Sequence, residues 1–305
     1  MNNSYNHPRL ASLIESARQK GRLSVAVAYP CSADSLAAAL SARDEGIIDP
    51  ILVGPRKRIE DCAATLRTNL DGVRIVEAED DPIATSRAAA SLVSAGEAQT
   101  LMKGSQHTDE LLGAVVSKDA NLRTTRRMSH VFWFDLPRYH KPLMIIDGVV
   151  NITPTLKDKV TILENAIDFA HAIGLPKPKI ALLSAVEYVN PNIASSVDAG
   201  ELVTMSKNGH FKAALIDGPF GFDNAVSKES AKIKGITSEV AGDPDILMVS
   251  NLDVGNTLYK SFIYMGGGEC AGVVLGAKVP VILTSRADSQ RARIASCALA
   301  RLSLP

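Results

Sequence analysis

Cysteine is scarce in this chain of 305 residues. The four it has, Cys31, Cys62, Cys270 and Cys297, lie far apart with no CxxC pair. That spacing excludes a zinc cage or a disulfide framework and predicts reduced thiols of the cytosolic kind. An excess of charge of one sign is also missing: Lys+Arg is 33 and Asp+Glu is 33. A main role in holding nucleic acid or an acidic membrane needs a basic excess, so both are excluded as partners, while local basic pockets for small anions are not. No apolar run spans a bilayer; the best candidate, AGVVLGAKVPVIL, is short and broken by Lys278 and Pro280. The opening MNNSYNHPRLASLIESARQKGRLS lacks a long apolar core and a small-residue cleavage site, so it is not a secretory signal. A cytoplasmic, soluble protein is expected. Ser/Gly linkers, low-complexity tracts and fixed-period repeats are absent too.

Apolar residues reach 46% and charged residues 22%, the usual balance of a soluble chain, so a sizeable core needs no staple. The length suits two domains or one large one. Strand-like and helix-like segments alternate throughout. Residues 9–20 have helical spacing, LSVAVAY (23–29) is a strand, and DSLAAALSARDEG (34–46) is a helix with Asp34 as N-cap and Gly46 at its end. PILVG (50–54), a helix to Asn69, VRIVEA (73–78), a helix over 82–95 and AQTLMKG (98–104) continue the pattern. A second set runs through KPLMIIDGVV (141–150), a helix at 157–173, PKIALLSAV (178–186), a helix over 193–207, FKAALIDGP (211–219) and DILMVSNLD (245–253). A helix–strand–helix passage closes the chain over 258–302. Continuous apolar strands separated by helices of this length predict an α/β fold with a mostly parallel sheet covered on both faces. The segment 122–142, which holds four arginines and the single tryptophan, breaks the alternation and marks a domain crossover.

In such sheets ligands lie beyond the carboxyl ends of strands, where helix N-termini offer unpaired N–H groups to phosphate. Four strand ends carry suitable chemistry. In PVILTSRADS (280–289) a strand ends at Thr284; Ser285 offers a hydroxyl donor and Arg286 a planar fork for two phosphate oxygens. The plainer reading is a helix start with Asp288 or Ser289 as N-cap. In LMKGSQHTDELL (101–112), Lys103 and Gly104 precede a polar helix start that cradles an anion or is simply a turn capped by Thr108 or Asp109. It is no Walker motif, because the GxxxxGK[ST] spacing is absent. In LIDGPFGFDNAVS (215–227), Asp217 and Asp223 serve a metal or a proton, or else ordinary turn and cap chemistry. In NLDVGNTLYKS (251–261) the strand ends at Asp253, and Asn256 and Lys260 are candidate substrate contacts, or Asn256 is only a cap. Gly266, Gly267 and Gly268 form no GxGxxG fingerprint, the histidines form no HExxH pair, and no GxSxG elbow exists. Arg123, Arg126 and Arg127 are either a solvated face or a seat for a terminal phosphate.

Taken in order, these strand-end pieces resemble the phosphate acetyltransferase and phosphate butyryltransferase family, more closely its butyryltransferase branch. The resemblance rests on LMKG (101–104), DGPFGFDNAVSKESAKIKGI (217–236), AGDPDILMVSNLDVGNTLYKS (241–261) and GGGECAGVVLGAKVPVILTSRADS (266–289). It implies two three-layer α/β/α domains like those of isocitrate and isopropylmalate dehydrogenases, with the active site in the interdomain cleft. The first domain is expected over 1–127 together with 267–305, and the second, inserted, over 128–266. The implied reaction is acyl-CoA plus phosphate giving acyl phosphate plus CoA, reversibly, in a ternary complex without a covalent acyl-enzyme. These four molecules are the expected partners, with no cofactor and no metal, in a homodimer or larger homo-oligomer. Arg286 matches the family's phosphate-gripping arginine and Ser285 the adjacent serine that stabilises the transition state; Asp288 is the third catalytic candidate. Lys103, Gly104, Asp217, Asn256, Lys260 and Thr284 form the expected substrate-binding set.

Two positions depart from the family's pattern. The acidic residue that follows the Ser-Arg pair in the acetyltransferase branch corresponds here to Ala292, flanked by Arg291 and Arg293. An arginine common after the Lys-Gly pair corresponds to Leu112, a contact that Arg123, Arg126 or Arg127 would have to replace. Two other functions stay open at this level. One is an NAD-dependent decarboxylating dehydrogenase on the same fold, with Asp217 and Asp223 as metal-binding carboxylates. The other is a non-catalytic CoA-binding protein.

Overall fold

The computed structural model describes residues 6–284 and 288–305. The chain begins with α1 (Pro8–Gln19), β1 (Leu23–Ala28), α2 (Ala33–Asp44), β2 (Ile48–Gly54), α3 (Arg56–Leu66), β3 (Arg74–Glu77), α4 (Pro82–Ser94), β4 (Thr100–Lys103) and α5 (Thr108–Val115). It continues with β5 (Ser129–Asp135), β6 (Leu143–Ile146), α6 (Leu156–Ala172), β7 (Lys179–Leu183), α7 (Ala194–Lys207), β8 (Leu215–Phe220), α8 (Phe222–Val226) and α9 (Lys228–Ile233). It ends with β9 (Ile246–Met248), α10 (Leu252–Tyr264), β10 (Glu269–Leu275), β11 (Val281–Ile282) and α11 (Gln290–Ser303). Two compact units result: Leu10–Arg126 with Ala271–Pro305, and Arg127–Cys270 with the described residues of the first nine. The start of the chain therefore sits with the unit that the sequence reading gave to 128–266. The cause is local: the Arg9 backbone N–H and guanidinium both donate to the buried Asp135, at 2.8 and 2.9 Å.

In the unit built from residues 10–126 and 271–305, strands neighbour one another in the order β3-β2-β1-β4-β11-β10. All pairs are parallel except β10 with β11. β1 and β4 are almost wholly buried, polar ends included, which is what coverage on both faces produces. Helix α4 packs on β1, α2 on β2, and α11 on α2. Within residues 127–270 the order is β5-β6-β9-β7-β8, again parallel except at β5–β6. Phe132, Phe134, Leu143, Ile145, Leu247 and Phe220 centre its core. The expected α/β class with mostly parallel sheets is thus what the chain adopts. Segment 122–142 does not simply break the alternation, since its centre, Ser129–Asp135, is a fully buried strand paired antiparallel to β6.

Several helix ends differ from the sequence reading. Ser32, not Asp34, caps α2, because its hydroxyl accepts the Ser35 N–H. At α5 the His107 N–H donates to Glu110 at 2.6 Å, so neither Thr108 nor Asp109 caps it. At α11 the cap is one of the two the sequence offered: Ser289 accepts the Ala292 N–H at 3.0 Å. The strand expected over 245–253 is only Ile246–Met248, because Asn251 accepts the Val254 N–H at 3.0 Å and starts α10 there. Asp253, Gly255 and Asn256 are consequently helical. Gly255 lacks a side chain for a reason: a Cβ would stand 2.6 Å from Gly148 Cα.

One surface network gives a pH prediction. Lys234 donates to Glu187 at 2.6 Å and pairs with Asp223 at 3.0 Å, and Ser230 donates to Asp223 at 2.6 Å. The hydrogen bonds from Ser230 and then Lys234 hold the Asp223 carboxyl down at about 2. A carboxylate depressed in the folded state stabilises it above the unfolded pKa of about 4 and loses that contribution as pH falls through the folded value. The melting temperature of Lys234→Met should therefore lie below wild type at pH 7, with the gap closing between about pH 4 and pH 2. A gap constant across that range in calorimetry would contradict it.

Candidate active site

The carboxyl ends of β1 and β4 and the turn after β11 converge within one unit on a pocket of about 390 Å³. Its wall includes Tyr29, Cys31, Ser32, Asp34 and Ser35 from the β1–α2 passage, Arg58 from α3, Lys103 to Ser105 from the end of β4, Thr284 after β11, and Arg293 from α11. Lys103 and Arg293 are buried on this wall, at 6% and 8% exposure.

The backbone of Tyr29 joins the ends of β1 and β4 at this wall. This residue follows the last residue of β1 and adopts a left-handed conformation, φ 49°, which is uncommon for a side chain of its size. Its carbonyl accepts the Cys31 N–H at 2.8 Å and the Ser105 N–H and hydroxyl at 2.9 Å each. Ser105 is thereby stapled to β1, and Gly104 is pressed against it. A Cβ on Gly104 would stand 2.2 Å from the Ala28 carbonyl oxygen and 2.4 Å from that of Tyr29. The Gly104 N–H donates to Gln106, a buried side chain, at 3.0 Å.

Side chains from α3 and the β3–α4 loop complete this wall. The Tyr29 hydroxyl donates to Asp80 at 2.7 Å, and Arg58 donates to Asp80 at 2.8 Å and to the Tyr29 oxygen. The Arg58 guanidinium also stands 5.2 Å from the Tyr29 ring centre, a cation–π distance. The hydrogen bonds from Tyr29 and Arg58 lower the Asp80 carboxyl, and burial with the Asp80 contact pushes the Tyr29 phenol up to about 12. Burial pushes the Cys31 thiol up to about 12 as well, so both groups keep their protons at neutral pH. On the opposite side the Arg293 guanidinium donates to the Asp34 carbonyl at 2.7 Å, tying α11 to the first turn of α2.

Of the residues proposed from sequence, Lys103, Gly104 and Thr284 share this pocket. Ser285 and Arg286, which follow Thr284 directly in the chain, lie outside the described residues. Asp288 stands just before the Ser289 cap of α11. Asp217, Asn256 and Lys260 belong to the other unit. There Asp217 in β8 accepts the Gly218 N–H at 2.9 Å and the Ser238 hydroxyl, while Asn256 and Lys260 lie one turn apart on α10. Asn256 is not the cap of that helix, since Asn251 is. Leu112 is buried on α5 and Ala292 on α11. Arg127 pairs with Asp158 at 3.2 Å and donates to Asn151, whereas Arg123 and Arg126 are exposed. The sequence search missed Tyr29, Ser32, Asp34, Arg58 and Arg293. YPCSADS ends a strand and opens a helix like the four segments chosen, but it holds no Lys, Arg or Gly, and Arg58 lies inside a helix.

Comparison with known proteins agrees with the resemblance. The model of the family described as "Phosphate acetyl/butaryl transferase" matches residues 83–301. A phosphate acetyltransferase from Rhizobium meliloti is 45% identical over 95% of this chain and 92% of its own length. A phosphate butyryltransferase from Clostridium beijerinckii is 41% identical over 91% of this chain and 92% of its own. The crystal structure of a branched-chain phosphotransacylase from Enterococcus faecalis superposes with a TM-score of 0.79 at 34% identity, covering 92% of this chain and 99% of that one. Relatives of both names are thus present at similar identity. With most of its length matched by the family model and by these relatives, the chain belongs to the phosphate acetyl/butyryl transferase family of acyltransferases.

Proposed function

We propose that this protein interconverts a short-chain acyl-CoA plus inorganic phosphate with acyl phosphate plus CoA, by direct transfer in a ternary complex. The observation that carries the reading is the strand-end pocket, to which two of the family-resembling segments contribute: Lys103 and Gly104 from one, Thr284 from the other. The reaction requires a phosphate held beside a thioester carbonyl. Lys103, buried at the pocket wall, supplies charge to that phosphate, and Arg286 supplies a fork for two of its oxygens. Ser285 donates to the carbonyl oxygen as charge develops there. The product thiol or thiolate then leaves with no covalent intermediate and no cofactor, in a homodimer or larger homo-oligomer in the cytoplasm.

The dehydrogenase alternative relied on Asp217 and Asp223 as a metal-binding pair. Asp217 is taken up by Ser238 and the Gly218 N–H, and Asp223 by Lys234 and Ser230, so the two carboxylates serve separate local networks. Among the described residues no helix is long and apolar enough to cross a membrane.

The test is a thiol-release assay with acetyl-, propionyl- and butyryl-CoA, with and without phosphate. The expected result is CoA release that depends on phosphate and peaks with one of the three. Tight CoA binding with no phosphate-dependent release from any thioester would support a non-catalytic CoA-binding role instead.

A further inference from the structure

The reaction moves one proton that the phosphate-holding groups do not accept. CoA enters the acyl-phosphate direction as a thiol, and its sulfur attacks only once the S–H bond gives way. The described pocket wall offers few candidates for that proton. Lys103, Arg58 and Arg293, from β4, α3 and α11, are cationic. The Cys31 thiol and the Tyr29 phenol, from the loop after β1, keep their own protons. Helix α11 turns Arg293 to the pocket and buries Ala292, so its first turns present no carboxylate there. Among the described lining residues one is acidic, Asp34 in the first turn of α2.

Three features suit Asp34 to the task. Ser32 already caps α2, so the Asp34 side chain is not spent on the helix end. Its backbone is pinned, because its carbonyl accepts Arg293 at 2.7 Å. Its carboxylate has no hydrogen bond or ion pair among the described residues, while the residue itself is exposed and borders the cavity. We propose that Asp34 exchanges the thiol proton of CoA, an assignment that rests on the acyl-transfer reading above. In the direction of thioester formation the S–H bond breaks and its proton passes to the Asp34 carboxylate. The sulfur electron pair forms the new C–S bond at the acyl carbon. The C–O bond to phosphate breaks, its electrons stay on the phosphate oxygen, and the proton moves from Asp34 to that phosphate. The sum is CoA thiol plus acyl phosphate giving acyl-CoA plus hydrogen phosphate, and the reverse direction retraces each step.

The experiment compares wild type, Asp34→Asn, Asp34→Glu and Asp288→Asn as full-length proteins in both directions, with circular dichroism to confirm folding. Asp34→Asn should lower kcat about 10²–10⁴-fold, the usual worth of a general base, and leave KM for both substrates nearly unchanged. Asp34→Glu should retain part of the rate. Added formate should restore part of the Asn variant's activity and leave wild type unaffected, which a merely structural role would not produce. An active wild type with an unimpaired Asn variant, a loss confined to KM, or formate rescue of Asp288→Asn in place of Asp34→Asn would overturn the assignment alone. A wild type with no thiol release would sink the acyl-transfer reading, and this assignment with it.

Discussion

Gly104→Ala should abolish phosphate-dependent thiol release and lower the melting temperature by several degrees. The added Cβ would lie 2.2 Å from the Ala28 carbonyl oxygen and 2.4 Å from that of Tyr29, and both obstacles are backbone. Neither can withdraw cheaply. Ala28 is the register partner of Lys103 in the parallel β1–β4 pair, and the Tyr29 carbonyl is held by Cys31 and Ser105. Relief therefore means pulling the loop after β4 away from β1, which moves Lys103 and breaks the Ser105 staple at the pocket wall. Overpacking of this kind costs about 1–3 kcal/mol, and each kcal/mol moves the melting point of a unit of about 150–250 residues by about 2–4 °C. The contrasting variant is Gly113→Ala. Gly113 lies in α5 with nothing within 4 Å of its would-be Cβ, so the change should leave activity intact and stabilise by about 0.5–1 kcal/mol. Equal melting points and equal rates for Gly104→Ala and wild type would show that the loop yields and that the site does not depend on this close approach.

The sequence made the layered α/β plan legible because its strands are continuous apolar runs bounded by helix-spaced segments. LSVAVAY reads as a buried strand, and β1 is one. What failed were boundaries decided by a single side chain. Asn251 accepts the Val254 N–H and starts α10 inside the segment DILMVSNLD, which the pattern alone reads as strand as far as Asp253. Ser32 outcompetes Asp34 for the cap of α2 by standing two residues earlier, and this leaves Asp34, a residue that borders the pocket, uncommitted to the helix end. The site was legible where one strand end carries its own chemistry, as at Lys103 and Gly104. It was not legible where tertiary packing recruits a side chain from inside a helix. Nothing near Arg58 in the sequence says that Asp80 and the ring of Tyr29 will hold it at a pocket formed by β1 and β4. Arg293 was read as a neighbour of a missing acid, and only the packing of α11 on α2 turns it into a pocket residue.

Arg286→Ala should reduce phosphate-dependent CoA release about 10²–10³-fold, the typical cost of removing one preorganised donor at a developing charge. The pocket already holds two buried cations, Lys103 and Arg293, yet neither replaces it. Arg293 has a guanidinium N–H committed to the Asp34 carbonyl, and Lys103 is a point charge without the planar fork that grips two oxygens at once. Arg286 stands two residues past the pocket-lining Thr284 in the chain. Arg286→Lys should accordingly recover only part of the loss, with the remaining defect seen as weaker phosphate saturation and lower kcat together. Arg123→Ala, on an exposed bridge residue paired with Ala277, serves as the control and should turn over at the wild-type rate. Steady-state rates against phosphate concentration distinguish the cases. If Arg286→Ala and Arg123→Ala both match wild type, phosphate is held elsewhere, and the strand-end pocket loses its role in the chemistry.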